Sequence, residues 1–521
     1  MIDSFAAPNG PLLVGLDVGT TNIKAAIVRP NGQTVAIASA HQEIDYPHPG
    51  WASHKPERIW ELCCQVLREA IAQIPNPAHI QGVAVASMGE AGVTLDAHDD
   101  PTYDVIAWFD RRTVQQTDQF SAQIDPDELF AITGTELQPI MTAPKLMWIR
   151  DAQPEVWART RRFLNVSAYV ARRLGADYAQ DHSLASRTGL FDLRCRDWSG
   201  RLMEIAGLTP DMFGELAPGG TRIGSVSSDA ARSTGLPAGI AIGLAGHDHI
   251  CGAFAAGVIR RGDVLDSIGT AEGLLVCLDH PVDDVTMGGQ GFTQGAHVVP
   301  DQYYGLGAIY TAGASYEWAR QAVGGGRSHD ELLAGARSIP AGSLGVMFLP
   351  HLRLAMFPEL DSRARGAFVG LTTDMTSDAL IRSVLEGVAM EGRAGFGPLA
   401  RYAQLPKLTD IKVIGGTSRN QLLIEIKASV MNARHHVLEI PEATALGAAM
   451  LAGMASGVYR SADDAIASIQ SAARVVEPDP DVVALYDTLF EDIYRHLYGA
   501  LRPMHHRLFD LFISSNEGGA A

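Results

Sequence analysis

The 521 residues include 59 acidic and 41 basic side chains, a formal net charge of −18, with 46% apolar and 19% charged residues. This is the profile of an acidic globular chain with ample core. It excludes nucleic acid as a partner, because no Lys/Arg block offers the concentrated basic face that phosphate neutralisation needs. A small anion such as a nucleotide stays open, since backbone amides, dipoles and a metal can hold it. No apolar run reaches the ~18 residues of a membrane span and the start lacks a basic n-region, so no membrane partner and a cytoplasmic location are expected. The five cysteines are odd in number without CxxC spacing, which predicts buried reduced thiols.

From Leu12 an apolar run, LLVGL, passes through a DVGTT turn to KAAIV, and then past Pro30-Asn31-Gly32 to VAIASA. Two hairpins are predicted there. Pro56 to Ile74 has helical spacing, and Ile80 to Ala86 reads as a buried strand ending at the loop Ser87 to Gly92. A weaker copy of the opening follows GVIRRGDVLDS: in IGTAEGLLVCL, Gly269-Thr270 answers Gly19-Thr20. That suggests an internal repeat with one copy per lobe, although Gly-Thr also recurs in unrelated hairpin turns. Pro281 to Gly305 reads as short strands and turns. The last third supplies strand IKVIG, a Gly415-Gly416 turn, a helix from about Asn420, strand HHVLEI and a small-residue helix, TALGAAMLAGMA. Beyond Leu501 the polar end, SSNEGGAA, is expected to fray.

No GxxxxGK[ST] occurs, and no GxGxxG joins a clear strand to a helix, so P-loop and Rossmann readings lose their main support. The opening instead places Asp17 at a strand end before Gly19, Thr20, Thr21 and Asn22. Such a turn presents amides and hydroxyls to phosphate oxygens, the acid can hold hydrated Mg²⁺, and Lys24 adds a cation. Taken alone, an ordinary Gly turn between strands fits equally well.

The context is more specific. GLDVGTTNIKAAIV resembles the first phosphate loop of the FGGY carbohydrate kinases, within the actin-like ATPase superfamily. Further stretches follow in the family's order over roughly residues 12 to 460. TAPKLMWI resembles its first signature and WFDRR its sugar-contacting segment. GHDHICGAFAAG resembles the segment with the catalytic aspartate, SIGTAE the second phosphate loop, and GAIYTAGASYEW a nucleotide-side segment. FLPHLRLAMFPELDSRARGAFVGLT with LIRSVLEG resembles the second signature, and VIGGTSRNQ with PEATALGAA the adenosine site.

The resemblance implies an α/β fold of two actin-like (ribonuclease H-like) lobes, each a mixed sheet flanked by helices, with a cleft between them. Residues 1–253 would form the sugar-binding lobe, 254–500 the ATP-binding lobe and 501–521 a tail. It implies ATP and Mg²⁺, the metal near Asp17, with Asp248 as the base facing the acceptor hydroxyl; on local grounds Asp248 reads equally as a helix N-cap. Glu90, Trp108, Asp110 and Arg111 would contact the substrate, the bland rival for Trp108 being core packing. Thr20, Thr21, Asn22, Lys24, Gly269, Thr270 and Gly313 would face phosphate, and Gly416 and Asn420 the adenosine. Gly447, Ala448 and Ala449 read rather as permitting tight helix packing. His247 and His249 flank Asp248, but no third ligand is evident for a metal.

The substrate is less sharply marked. Ala379 stands where the second signature usually has a polar residue, SMGEAG lacks the Gly-Gln-Met-His run of xylulokinase-like members, and Ala91 replaces an acid of fuculose-kinase-like ones. Ile140 sits where glycerol kinases resemble one another in having Tyr. These departures leave the kinase reading intact and blur the substrate; GVAVASMGEAGVTLD together with GHD and GTAE resembles fuculose-kinase-like members more than glycerol kinase, which implies a ketose, a pentulose or 6-deoxyhexulose, with a linear polyol such as a tetritol or pentitol as runner-up. A filament or chaperone ATPase needs no sugar pocket, and a silent sensor needs neither Asp17 nor Asp248. Pairing into a homodimer is admitted by the resemblance.

Overall fold

The computed structural model describes residues 10–356, 360–470 and 472–512. The end 514–521 and residues 357–359 of the second-signature stretch lie outside them. The strands of the two large sheets are numbered in chain order. The first sheet contains β1 (Leu12–Val18), β2 (Asn22–Val28), β3 (Thr34–His41), β4 (Ile80–Ser87), β5 (Arg222–Ser225) and β6 (Ala241–His247), in the order β5-β6-β4-β1-β2-β3. The second contains β7 (Val264–Ile268), β8 (Glu272–Leu278), β9 (Thr293–Ala296), β10 (Tyr303–Ile309), β11 (Asp410–Ile414), β12 (Arg434–Leu438) and β13 (Ala473–Val476). Its order is β9-β10-β8-β7-β11-β12-β13.

The two sheets repeat one topology. β1 pairs antiparallel with β2 and parallel with β4, as β7 pairs antiparallel with β8 and parallel with β11. Both Gly-Thr turns therefore close the same hairpin, one per sheet. β1 is central and covered on both faces, which is why LLVGL runs apolar without alternation. Helix α1 (Pro56–Ile71) begins with Pro at its first turn and buries Ile59, Leu62, Cys63, Val66, Leu67 and Ala70 along one face.

Helix α2 (Asp248–Ala255) follows β6 directly. The small-residue helix α4 (Ala443–Ala455), which follows α3 (Gln421–Met431), packs on α2 and crosses β1, β4 and β6. A helix from residues 254–500 thus covers the first sheet. Small side chains allow this close seam. A Cβ on Gly15 would overlap the Ala445 carbonyl oxygen, and one on Gly447 would overlap that of Cys251. We expect Gly447→Val to destabilise the protein by at least ~1–3 kcal/mol through overpacking, read as a lowered melting temperature. An unchanged melting curve would mean that the α2–α4 seam can yield.

The end of the chain differs from the expected tail. Helix α5 (Arg495–Phe512) continues past Leu501 and buries Leu497, Tyr498 and His505. Tyr498 donates to Asp361, and His506 Nε2 lies 2.5 Å from its Oδ2. These contacts hold the Asp361 carboxyl at about 2 against the upward push of burial. All five cysteines are free, but Cys195 is exposed rather than buried, on a turn whose amide donates to Asp192. Among the described residues no helix is long and apolar enough to cross a membrane.

Candidate active site

The turn between β1 and β2 is closed by Gly19 N–H donating to the Asn22 carbonyl at 3.1 Å. Thr21 and Asn22 are exposed, with Asn22 Nδ2 donating to Thr21 Oγ1 at 3.2 Å. Thr20 Oγ1 accepts from Trp108 Nε1 at 3.0 Å. Trp108 thus ties the WFDRR segment to the β1–β2 turn, and its indole does more than pack. Lys24 points elsewhere than expected: its ammonium pairs at 2.7 Å with Glu442, just ahead of α4. Its charge is committed to a carboxylate remote in sequence.

Asp17 Oδ1 is buried and has no hydrogen-bond partner among the described residues. Burial, then the Asp248 charge, raises its pKa to about 8, with Lys24 opposing. Asp248 opens α2 and is not its cap; His247 occupies that position. Asp248 Oδ1 accepts from His249 N–H at 2.6 Å, and its carbonyl accepts from Thr444 of α4 at 3.3 Å. Its side chain is 25% exposed. Burial also raises the Asp248 pKa, Glu90 adding to it while His249 and Arg187 pull it down. A raised pKa moves a carboxylate toward the range where it can take a proton near neutrality.

The pair fits a divalent cation. A buried carboxylate whose ionisation Asp248 hinders, and which keeps one oxygen without a partner among the described residues, would ionise beside a cation. Asp17 is the residue that would hold it. Among the described residues no group of three His, Cys, Asp or Glu is placed to hold a metal ion. His247 is buried and His249 largely exposed, their rings 5.4 Å apart with Nε2 atoms 3.3 and 4.0 Å from Asp248 Oδ1.

The acceptor side is more altered from expectation. Glu90 has a left-handed backbone, φ 56°, rare outside glycine. It is fixed by its carbonyl, which accepts from Lys145 Nζ at 2.8 Å and from Thr142 at 3.4 Å, both residues of TAPKLMWI. Burial lowers the Lys145 pKa to about 7, with Glu90 and Asp110 resisting. The Glu90 side chain is buried in an ion pair with Arg187, whose Nε donates to Oε1 at 2.6 Å. Arg187 follows the helical turn His182–Ala185, and nothing in its local sequence marks it.

Asp110 is a correction. It is fully buried, and its oxygens accept from Ala52 N–H at 2.5 Å and from Arg112 N–H, Nε and Nη2 at 2.8, 2.9 and 2.7 Å. All four lone-pair positions are taken, so it braces the loop and has none left for a sugar. Arg111 is exposed, and its neighbour Arg112 makes the ion pair and lies 4.2 Å over the Trp51 ring.

On the second sheet the β7–β8 turn is closed by Gly269 N–H to the Ala271 carbonyl at 2.8 Å. The Gly269 carbonyl accepts from Gly313 N–H and from Thr417 Oγ1 at 3.0 Å, and that of Thr270 accepts from Ala314 N–H. Three loops distant in sequence therefore meet at one point. A Cβ on Gly313 would overlap the Gly269 carbonyl, whereas one on Gly416 would meet nothing within 4 Å. Gly416 borders open space, and Gly415, with φ 100° and the Ile268 carbonyl against it, is the glycine the fold itself requires. Asn420 caps α3, its Oδ1 accepting from Leu423 N–H at 3.1 Å, which leaves its amide NH₂.

Two family models match the chain. The model described as "FGGY family of carbohydrate kinases, N-terminal domain" matches residues 12–255, and the model of the family's C-terminal domain matches residues 265–456. The chain is 28% identical over 491 residues to a xylulose kinase of Bacillus subtilis (strain 168), covering 93% of this chain and 96% of that one. It is 33% identical over 469 residues to a glycerol kinase of Gloeobacter violaceus, covering 87% and 90%. A crystal structure of xylulose kinase from Rhodospirillum rubrum superposes with a TM-score of 0.86 at 28% identity, covering 95% of this chain and all of that one.

Proposed function

The chain belongs to the FGGY family of carbohydrate kinases and is an ATP-dependent phosphotransferase with an alcohol group as acceptor, and from that premise we propose that the acceptor is a ketose, a pentulose or a 6-deoxyhexulose. The observation that carries this reading is the convergence of Asp248, Glu90 and Arg187, coupled electrostatically, near a phosphate turn that Trp108 also touches. The xylulose kinases among its relatives add to it.

In this reading Asp248 orients the acceptor hydroxyl in line with the γ-phosphate and takes its proton as the phosphoryl group moves. Transfer through a loose transition state asks little of the base before then, so positioning dominates. The Gly19–Asn22 and Gly269–Thr270 turns hold phosphate oxygens with backbone amides and hydroxyls, and Gly416 leaves room for the adenosine. Mg²⁺ bound near Asp17 would supply charge neutralisation on the phosphates. Sugar sits mainly against the first lobe, ATP between the lobes and on the second, and closure keeps water from the phosphoryl group.

ADP release across a panel of ketoses and alditols tests this. The matching ketose should raise the rate by orders of magnitude over sugar-free hydrolysis, because acceptor binding assembles the site. Glu90→Gln, which keeps shape and removes charge, should then lower kcat/KM for that ketose roughly 10- to 100-fold, the worth of a hydrogen bond to a charged group. The glycerol kinase relative at 33% identity favours a second reading, a linear polyol. Stimulation by polyols alone would replace the ketose.

A further inference from the structure

Arg187 is nine-tenths buried on the acceptor side, yet its Nη1 has no hydrogen-bond partner among the described residues. Nε and Nη2 both fall on the same oxygen of Glu90, Oε1. A buried guanidinium N–H left unmade costs more than a typical hydrogen bond contributes, so a site that keeps one is built for a ligand oxygen.

The loop that carries Arg187 is rigidly mounted. Asp181 accepts from Ser183 N–H and Oγ–H at 2.8 and 2.6 Å, and Ser183 Oγ in turn accepts from His247 N–H at 2.9 Å. The arginine is thereby fixed relative to the strand end bearing Asp248. Ser186 Oγ accepts from Ala296 N–H of β9, which ties the same loop to the second sheet. From that sheet the hydroxyl of Tyr304 of β10, kept protonated by burial, lies beside the guanidinium, though neither it nor Nη1 makes an aligned hydrogen bond among the described residues. Gly89 leaves room for this: a Cβ there would lie 3.0 Å from His247 Nε2 and 3.6 Å from Arg187 Cγ.

Resting on the ketose reading above, we propose that Arg187 is a substrate-contacting, specificity-determining residue, its Nη1 donating to the carbonyl oxygen while Glu90 Oε2 accepts from the adjacent hydroxyl. The pair offers one group that can only donate beside one that can only accept. An α-hydroxy ketone presents the complement, an oxygen with lone pairs alone next to a hydroxyl proton. An alditol presents two hydroxyls, and the one facing Nη1–H must send its own proton elsewhere. An aldonate is disfavoured because Glu90 already engages the guanidinium charge. Burial works against the Arg187 charge, but Glu90 and then Tyr304 more than compensate and raise its pKa, so the donor persists at any working pH.

The test uses the full-length protein, a ketose and the alditol made by reducing it. Arg187→Lys keeps a cation opposite Glu90 but removes the planar fork that aims a second donor. It should lower the ketose-to-alditol ratio of kcat/KM about 10-fold or more, chiefly through the ketose KM, with ADP affinity unchanged by calorimetry. Should the lysine variant not fold, Arg187→Gln with Glu90→Gln removes both charges together and should flatten the same ratio. A wild type that prefers the ketose and a variant with an unchanged ratio would overturn the role of Arg187 alone. A wild type that turns over alditols and no ketose overturns the ketose reading and this inference together.

Discussion

Asp248→Asn is expected to lower kcat by at least ~10²-fold, the lower range for a positioned acid or base, with ADP binding preserved. The substitution is nearly isosteric. The asparagine oxygen can still accept from His249 N–H at the start of α2, and the Asp248 carbonyl bond to Thr444 does not involve the side chain. What is lost is the negative charge and the capacity to take a proton. The Gly269–Thr270 turn and the Gly416 loop, where the proposal seats the nucleotide, lie on the second sheet away from Asp248, so ADP binding should survive. Single-turnover kinetics with the best ketose, alongside ADP calorimetry, checks both halves. Near-normal turnover in a folded variant would remove Asp248 from the mechanism.

Lys427→Met is expected to be the most damaging single change to stability. Lys427 Nζ lies 2.7 Å from Asp266 and 2.5 Å from Glu272, and all three side chains are fully buried. Removing the lysine leaves two buried acids without their cation in a dry interior, a loss of about 3–5 kcal/mol where they are ionised. The cost should depend on pH. In the wild type burial, reinforced by Asp266 and opposed by Lys427, raises the Glu272 pKa to about 8. A carboxyl whose native pKa lies above its unfolded value holds its proton more tightly when folded, so its favourable contribution is complete below about 4.5 and lost as pH rises through about 8. Without Lys427 both acids shift further in that direction, so the deficit should be smaller at pH 5 than at pH 8.5. Melting temperatures across that range decide it; a deficit independent of pH would show that the three charges are not what holds the site. Glu272 follows the Thr270 turn and Lys427 lies on the helix capped by Asn420, so weakened ADP binding should accompany the loss.

Much of the architecture could be read locally. The Gly-Thr turns, the apolar run of β1, the helix after Pro56 and the small-residue helix at 443–455 are written in a few consecutive residues each, because turns need φ freedom and buried strands need unbroken apolar runs. The order of the motifs likewise pointed to two duplicated lobes and to Asp17, Asp248 and Glu90 as residues of one site. Residues 502–512, expected as the start of a tail, are helical because His506 finds its partner in Asp361, more than a hundred residues earlier.

The sequence by itself therefore determined the fold class, the family and the residue types available for phosphoryl transfer. Only the tertiary structure decided how those residues are employed. Glu90 meets Arg187 across 97 positions, Lys24 meets Glu442 across 418 and Lys427 meets Glu272 across 155. Asp110 is consumed by Arg112, not offered to a sugar beside Arg111. Backbone conformation responds to neighbours along the chain, whereas the pairing of buried charges responds to sheet register and to which loops the two lobes bring together. For Glu90 with Arg187 and Lys427 with Glu272 burial makes the pairing obligatory, since an ion taken from water must find its partner wherever the fold has placed one.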